Sequence, residues 1–146
     1  MSFKKLLLLN AGQNLKKIFP EYVNDYLDKS LETANIDIRE SGVFDGIEYM
    51  DLRYFNNNKP EVPLVNKGLI QVHNKSNIEC LASGCQHRYA RGDDRRAEML
   101  TMKGFPIIKI SDKGQVIISE MLTEKSTIDP VMGKLLVNMI TELSNL

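Results

Sequence analysis

Two hydrophobic periods share this chain, and neither an all-helical nor an all-strand fold satisfies both. In the first 34 residues Leu15, Ile18, Phe19, Tyr22, Val23, Tyr26, Leu27 and Leu31 recur at three and four. Val131, Met132, Leu135, Leu136, Met139, Ile140 and Leu143 do the same near the C-terminus. That spacing lines one face of a helix. Between these ends the period falls to two: Ile36 and Ile38, then Ile47 and Tyr49, alternate with polar residues, and short strand-length segments follow at 69–72, 78–81, 105–110 and 115–119. The pattern predicts one α+β domain over residues 1–146: an N-terminal helical segment, an antiparallel meander of three to four strands, a helix, a two-stranded return and a C-terminal helix.

Punctuation residues refine this plan. Pro20 interrupts the first helical stretch, as a break or as the first turn of a second helix near Glu21, while 6–9 reads equally as helix or short strand. Asp45-Gly46 joins 36–38 to 47–49 as a hairpin, and Asn56 to Pro60 is a polar turn cluster. Asp93 or Asp94 caps a helix running to about Lys103, with Gly104 as its left-handed terminator. Asp112-Lys113-Gly114 turns the last pair of strands, and Asp129 caps a helix whose first position is Pro130.

Composition then limits function. The chain has 146 residues with 19 basic and 19 acidic side chains, so its formal net charge is zero. Without a whole-molecule field, an acidic partner must be met by a local patch. The longest apolar run, Leu6 to Leu9, is far below the roughly 18 residues of a spanning helix, and it is too short for a signal peptide. The chain reads as cytoplasmic and not as a membrane protein. Two cysteines then point to thiols or metal ligands and not to a disulfide framework.

Both cysteines and both histidines, His73, Cys80, Cys85 and His87, fall within one short stretch. Two thiolates and two imidazoles complete a tetrahedral structural zinc site, although the spacing lacks a Cys-x2-Cys knuckle. The alternative makes Cys80 a small buried apolar residue and the histidines surface groups. The same region concentrates arginine: Arg88, Arg91, Arg95 and Arg96, four of the six in the chain, surround Tyr89. Guanidinium groups bind phosphate bidentately, a helix start near Asp93 offers free N–H groups, and tyrosine stacks on an unpaired base. Asp93, Asp94 and Glu98 offset part of this charge, which leaves a salt-bridged, solvated face as the competing reading. Cys85 to Arg91 has Cys-x5-Arg spacing but no glycine inside it, and Arg91-Gly92-Asp93 is a turn leading to a cap. Glu48 and Asp51 are three apart on a proposed strand and point to opposite faces.

The run Ile78-Glu79-Cys80-Leu81-Ala82-Ser83-Gly84-Cys85-Gln86-His87, followed by Asp94-Arg95-Arg96, Leu100 and Gly104-Phe105-Pro106-Ile107-Ile108-Lys109-Ile110, resembles the restriction-endonuclease-like fold, especially relatives of very-short-patch repair nucleases. It covers about residues 69–116. The resemblance implies a divalent ion held by a strand carboxylate and a Glu-x-Asp or Glu-x-Lys pair, with a histidine after the glycine. With Gly84 at the family glycine, Leu81 and Ser83 occupy the acidic positions, and Gln71 or His73 falls at the upstream aspartate. The resemblance also implies a structural zinc through the cysteine after the glycine, here Cys85.

Three functions follow as expectations. The first is a nucleic-acid-binding domain, a degenerate nuclease contacting DNA or RNA through Arg88, Tyr89, Arg91, Arg95 and Arg96. The second is an active Mg2+- or Mn2+-dependent phosphodiesterase with Glu79, His87 and Asp94 as its catalytic set and Asp51 as an alternative ligand. The third is a non-catalytic viral or regulatory subunit with a protein partner or a homo-oligomeric state.

Overall fold

The computed structural model describes residues 4–28, 36–38, 41–48, 66–89, 97–101, 104–127 and 129–144. Its elements are β1 (Lys5–Leu9), α1 (Leu15–Ile18), β2 (Val23–Leu27), β3 (Ile36–Ile38), β4 (Leu69–Val72), β5 (Ile78–Tyr89), β6 (Ala97–Thr101), β7 (Ile107–Ser111), β8 (Gln115–Ser119) and α2 (Pro130–Ser144), so the fold is α+β. The main sheet has the order β1-β8-β7-β5-β3, with β6 also paired to β5, and β2 and β4 form a separate two-stranded sheet. β1 and β8 are parallel, with Leu7 opposite Ile117, while β8, β7 and β5 run antiparallel in turn.

Both faces of the main sheet are covered, which explains its unbroken apolar strands. Leu7, Leu9, Leu81, Ile107 and Ile117 pack on the α2 side, where Met132, Leu135, Met139 and Leu143 form the buried stripe of that helix. Leu6, Leu8, Ile108, Ile110, Val116 and Ile118 pack on the other side, beneath Leu15, Phe19, Val23, Tyr26 and Ile70. A strand facing water on one side alternates polar with apolar residues. Here each successive residue from Leu6 to Leu9 has a hydrophobic neighbour, which settles that segment as strand.

Four sequence expectations are corrected. The helix after Pro20 is β2, because Val23 pairs with Val72 and Tyr26 with Ile70 while both side chains are buried. Residues 36–38 pair with 82–84 of β5, and residues 47 and 48 of the expected partner are in no strand; Gly42–Phe44 is a 3-10 turn, and the carbonyls of Asp45 that follows it and of Val43 within it accept from Asn138 Nδ2 at 2.8 and 3.1 Å. β4 and β5 are not paired in a meander, since β4 joins β2 and bridges Phe105. The helix expected to reach Lys103 is replaced over Ala97–Thr101 by strand β6. Gly104 consequently ends no helix: its carbonyl accepts from the Gly84 amide at 2.9 Å. The Asn56 to Pro60 cluster lies outside the described residues.

Candidate functional site

Arg88 and Tyr89 of the arginine-rich stretch lie on a strand that forms a β-ribbon. β5 pairs with β7 over 78–82 and with β3 over 82–84, and beyond Gly84 its partner among the described residues is β6. Five registered pairs, from Cys85 opposite Thr101 to Tyr89 opposite Ala97, build the ribbon, with Arg88 opposite Glu98. Arg91, Asp94, Arg95 and Arg96 belong to the connection between Tyr89 and Ala97 and lie outside the described residues, as does Asp51. Strand β6 also removes the support for an anion-binding helix running through 97–101.

The proposed zinc ligands are spread along the fold. His73 is exposed just beyond β4, whereas Cys80 is half-buried against the apolar layer that contains Ile108 and Ile110. Cys85 and His87 follow on the same strand. Cys80 and His87 are seven positions apart along β5. Glu79 is exposed on β5 in register with Lys109, whose own ammonium pairs with Glu142 at 2.9 Å. Among the described residues, no three His, Cys, Asp or Glu side chains gather as a metal site.

A polar centre that the sequence expectations did not include lies beyond the carboxyl ends of the parallel strands β1 and β8. Glu120 is completely buried, at 0% exposure. Tyr26 Oη donates to its Oε2 at 2.9 Å, and the Gly12 amide donates to Oε1 at 3.1 Å. The 10–12 turn is shaped for this contact. Asn10 and Gly12 have positive φ, 52° and 58°, on either side of right-handed Ala11, and such alternation directs successive amides toward an anion. The Glu120 backbone is tied as well, accepting from the Lys67 amide and donating to the Pro106 carbonyl, each at 2.8 Å.

Burial pushes the Glu120 carboxyl above the ordinary glutamate range; the Gly12 amide, Tyr26 hydroxyl, Ala11 amide and Lys67 ammonium pull it partly back. Burial, and then the facing Glu120 carboxylate, push the Tyr26 phenol up. Lys67 is held at 3.3 Å by Glu124, which also accepts from Asn10 Nδ2 at 3.2 Å. The sequence did offer one signal for this centre: Glu120 is a single acid inside the otherwise largely apolar run from Val116 to Leu122. An acid at such a place needs partners, but those partners come from positions 12, 26 and 67 and no local spacing announces them.

No family model matches the chain, and no significant match is found among curated proteins or solved structures. The functional reading therefore rests on the chain's own geometry. At the other end of the sheet, near the β7–β8 turn, a cleft of ≈ 340 Å³ has Phe19, Ile110 and Val116 as its apolar floor and Tyr22, Asp112 and Ile18 at its rim. Tyr22 donates its hydroxyl to Asp112, the main reason its phenol is shifted up, and the Lys75 ammonium lies 5.1 Å from its ring centre. Among the described residues, no helix is long and apolar enough to cross a membrane.

Proposed function

We propose that the protein is a nucleic-acid-binding α+β domain that meets phosphates with the β5–β6 ribbon and its arginine-rich connection. The observation that supports this reading is the pairing of the flanking strands: β5 continues past its register with β7 and β3 and pairs with β6, and Arg91, Arg95 and Arg96 fall between these two strands in the sequence. A two-stranded ribbon fits a major groove about 12 Å wide. Arginine supplies bidentate phosphate contacts, and Tyr89, at the last registered pair, supplies a stacking surface for an unpaired base. Because the whole chain is neutral, the attraction is local to this arm.

Binding is favoured over cleavage by the acidic residues. Leu81 and Ser83 stand where the resemblance expects acids, and Glu79 sits on β5 opposite Lys109. The test is a mobility-shift titration with DNA and RNA at several salt concentrations. Arg95→Ala/Arg96→Ala should reduce the slope of log affinity against log salt by about two units, one per lost phosphate contact. Absence of binding at low salt, or an unchanged slope in the double variant, ends this reading.

A further inference from the structure

Four remote segments meet at Glu120: the 10–12 turn, β2 through Tyr26, the lead into β4 through Lys67, and the chain leaving β8. The contacts join two layers that share no backbone ladder between β8 and β2. Tyr26 is itself held in place, because a Cβ at Gly68 would occupy the position of its hydroxyl end. A buried carboxyl at such a junction has one way to become hydrated when it ionises, which is for the junction to open.

We propose that Glu120 is a proton-operated latch that holds the β2–β4 layer and the 10–12 turn on the main sheet, closed when the carboxyl is neutral and loosened when it ionises. The groups that face it set its balance. Tyr26 from β2 and the Gly12 amide donate to the carboxyl, and the Ala11 amide and Lys67 favour its charged form. Glu124 holds Lys67 from the 3-10 turn Thr123–Thr127, and Asp28 acts on Tyr26 from beyond β2. In the neutral form the carboxyl proton is donated to Tyr26 Oη while the other oxygen still accepts from Gly12, so no charge is buried at the junction.

The direction of the pH effect follows from proton linkage. An acid raised in the folded state binds more protons folded than unfolded. Its contribution to stability is complete below the ordinary glutamate range and is lost as pH rises through the raised folded value. Glu120→Gln mimics the neutral latch, since its amide nitrogen donates to Tyr26 and its oxygen accepts from Gly12.

Urea unfolding of the full chain from pH 4 to pH 8 should show the wild-type unfolding constant rising, relative to E120Q, by up to about tenfold per pH unit until Glu120 is ionised in the fold. In parallel, the Gly12 amide resonance of the wild type should titrate above the ordinary glutamate range. Lys67→Met, at a half-exposed side chain, should move that midpoint further up. A Gly12 resonance that titrates in the ordinary range, or a midpoint unmoved or lowered by Lys67→Met, overturns the latch even if E120Q does not fold. Parallel stability profiles for wild type and E120Q overturn it as well.

Discussion

Gly68 lies where the far end of the Tyr26 ring crosses the backbone. A Cβ there would overlap the Tyr26 hydroxyl and come within 2.7 Å of the Leu27 carbonyl oxygen. The glycine is required for space. Gly12 and Gly46, with φ of 58° and 65°, are instead required for backbone conformation. Gly68→Ala should therefore displace Tyr26 from Glu120 and lower stability by about 1–3 kcal/mol, measured by thermal or urea denaturation. An alanine variant of wild-type stability would mean that Tyr26 has room to move. Neither Gly68 nor Glu120 was legible as part of one site, because they are 52 positions apart in the chain and only the fold brings Tyr26 between them.

At the level of elements, locally determined features were the readable ones. Asp129 Oδ1 accepts from the Val131 and Met132 amides at 2.9 and 3.2 Å, and Pro130 opens α2, as its spacing predicts. The cap and the apolar stripe lie within one helix, so sequence and structure use the same information. Asp129→Ala should cost about 1 kcal/mol and fray the first turn of α2, which hydrogen exchange at Val131 and Met132 would detect. Unchanged exchange there would show that tertiary packing alone holds the turn. β6 is the opposite case. Ala97-Glu98-Met99-Leu100 consists of good helix formers, yet five registered partners on β5 draw the segment into a strand. Pairing to a remote strand outweighs a propensity worth only tenths of a kcal/mol per residue. Val23 to Leu27 was misread for the same reason, its buried positions being set by β4 and the sheet below.

Across the whole molecule, stability is divided between the two apolar layers of the main sheet. Leu135 and Ile108 are both at 0% exposure and belong to opposite layers. Leu135→Ala and Ile108→Ala should each cost about 2–5 kcal/mol. With no shared cluster, their effects should add to within about 0.5 kcal/mol in urea denaturation. A strongly non-additive double variant would indicate that the layers open as one unit. By itself the sequence determined the α+β class, α2 with its cap, the Asp112–Gly114 turn and the strand segments around 69–72, 107–111 and 115–119, because periodicity, capping and turn residues act within a few positions. Tertiary structure alone decided that β1 lies parallel to β8 more than a hundred residues away, that β5 pairs with β6, and that Glu120 is buried against Tyr26 and Gly12. The physical reason is that strand pairing and the burial of a charge depend on which distant surfaces exclude water together, and no local pattern encodes that choice.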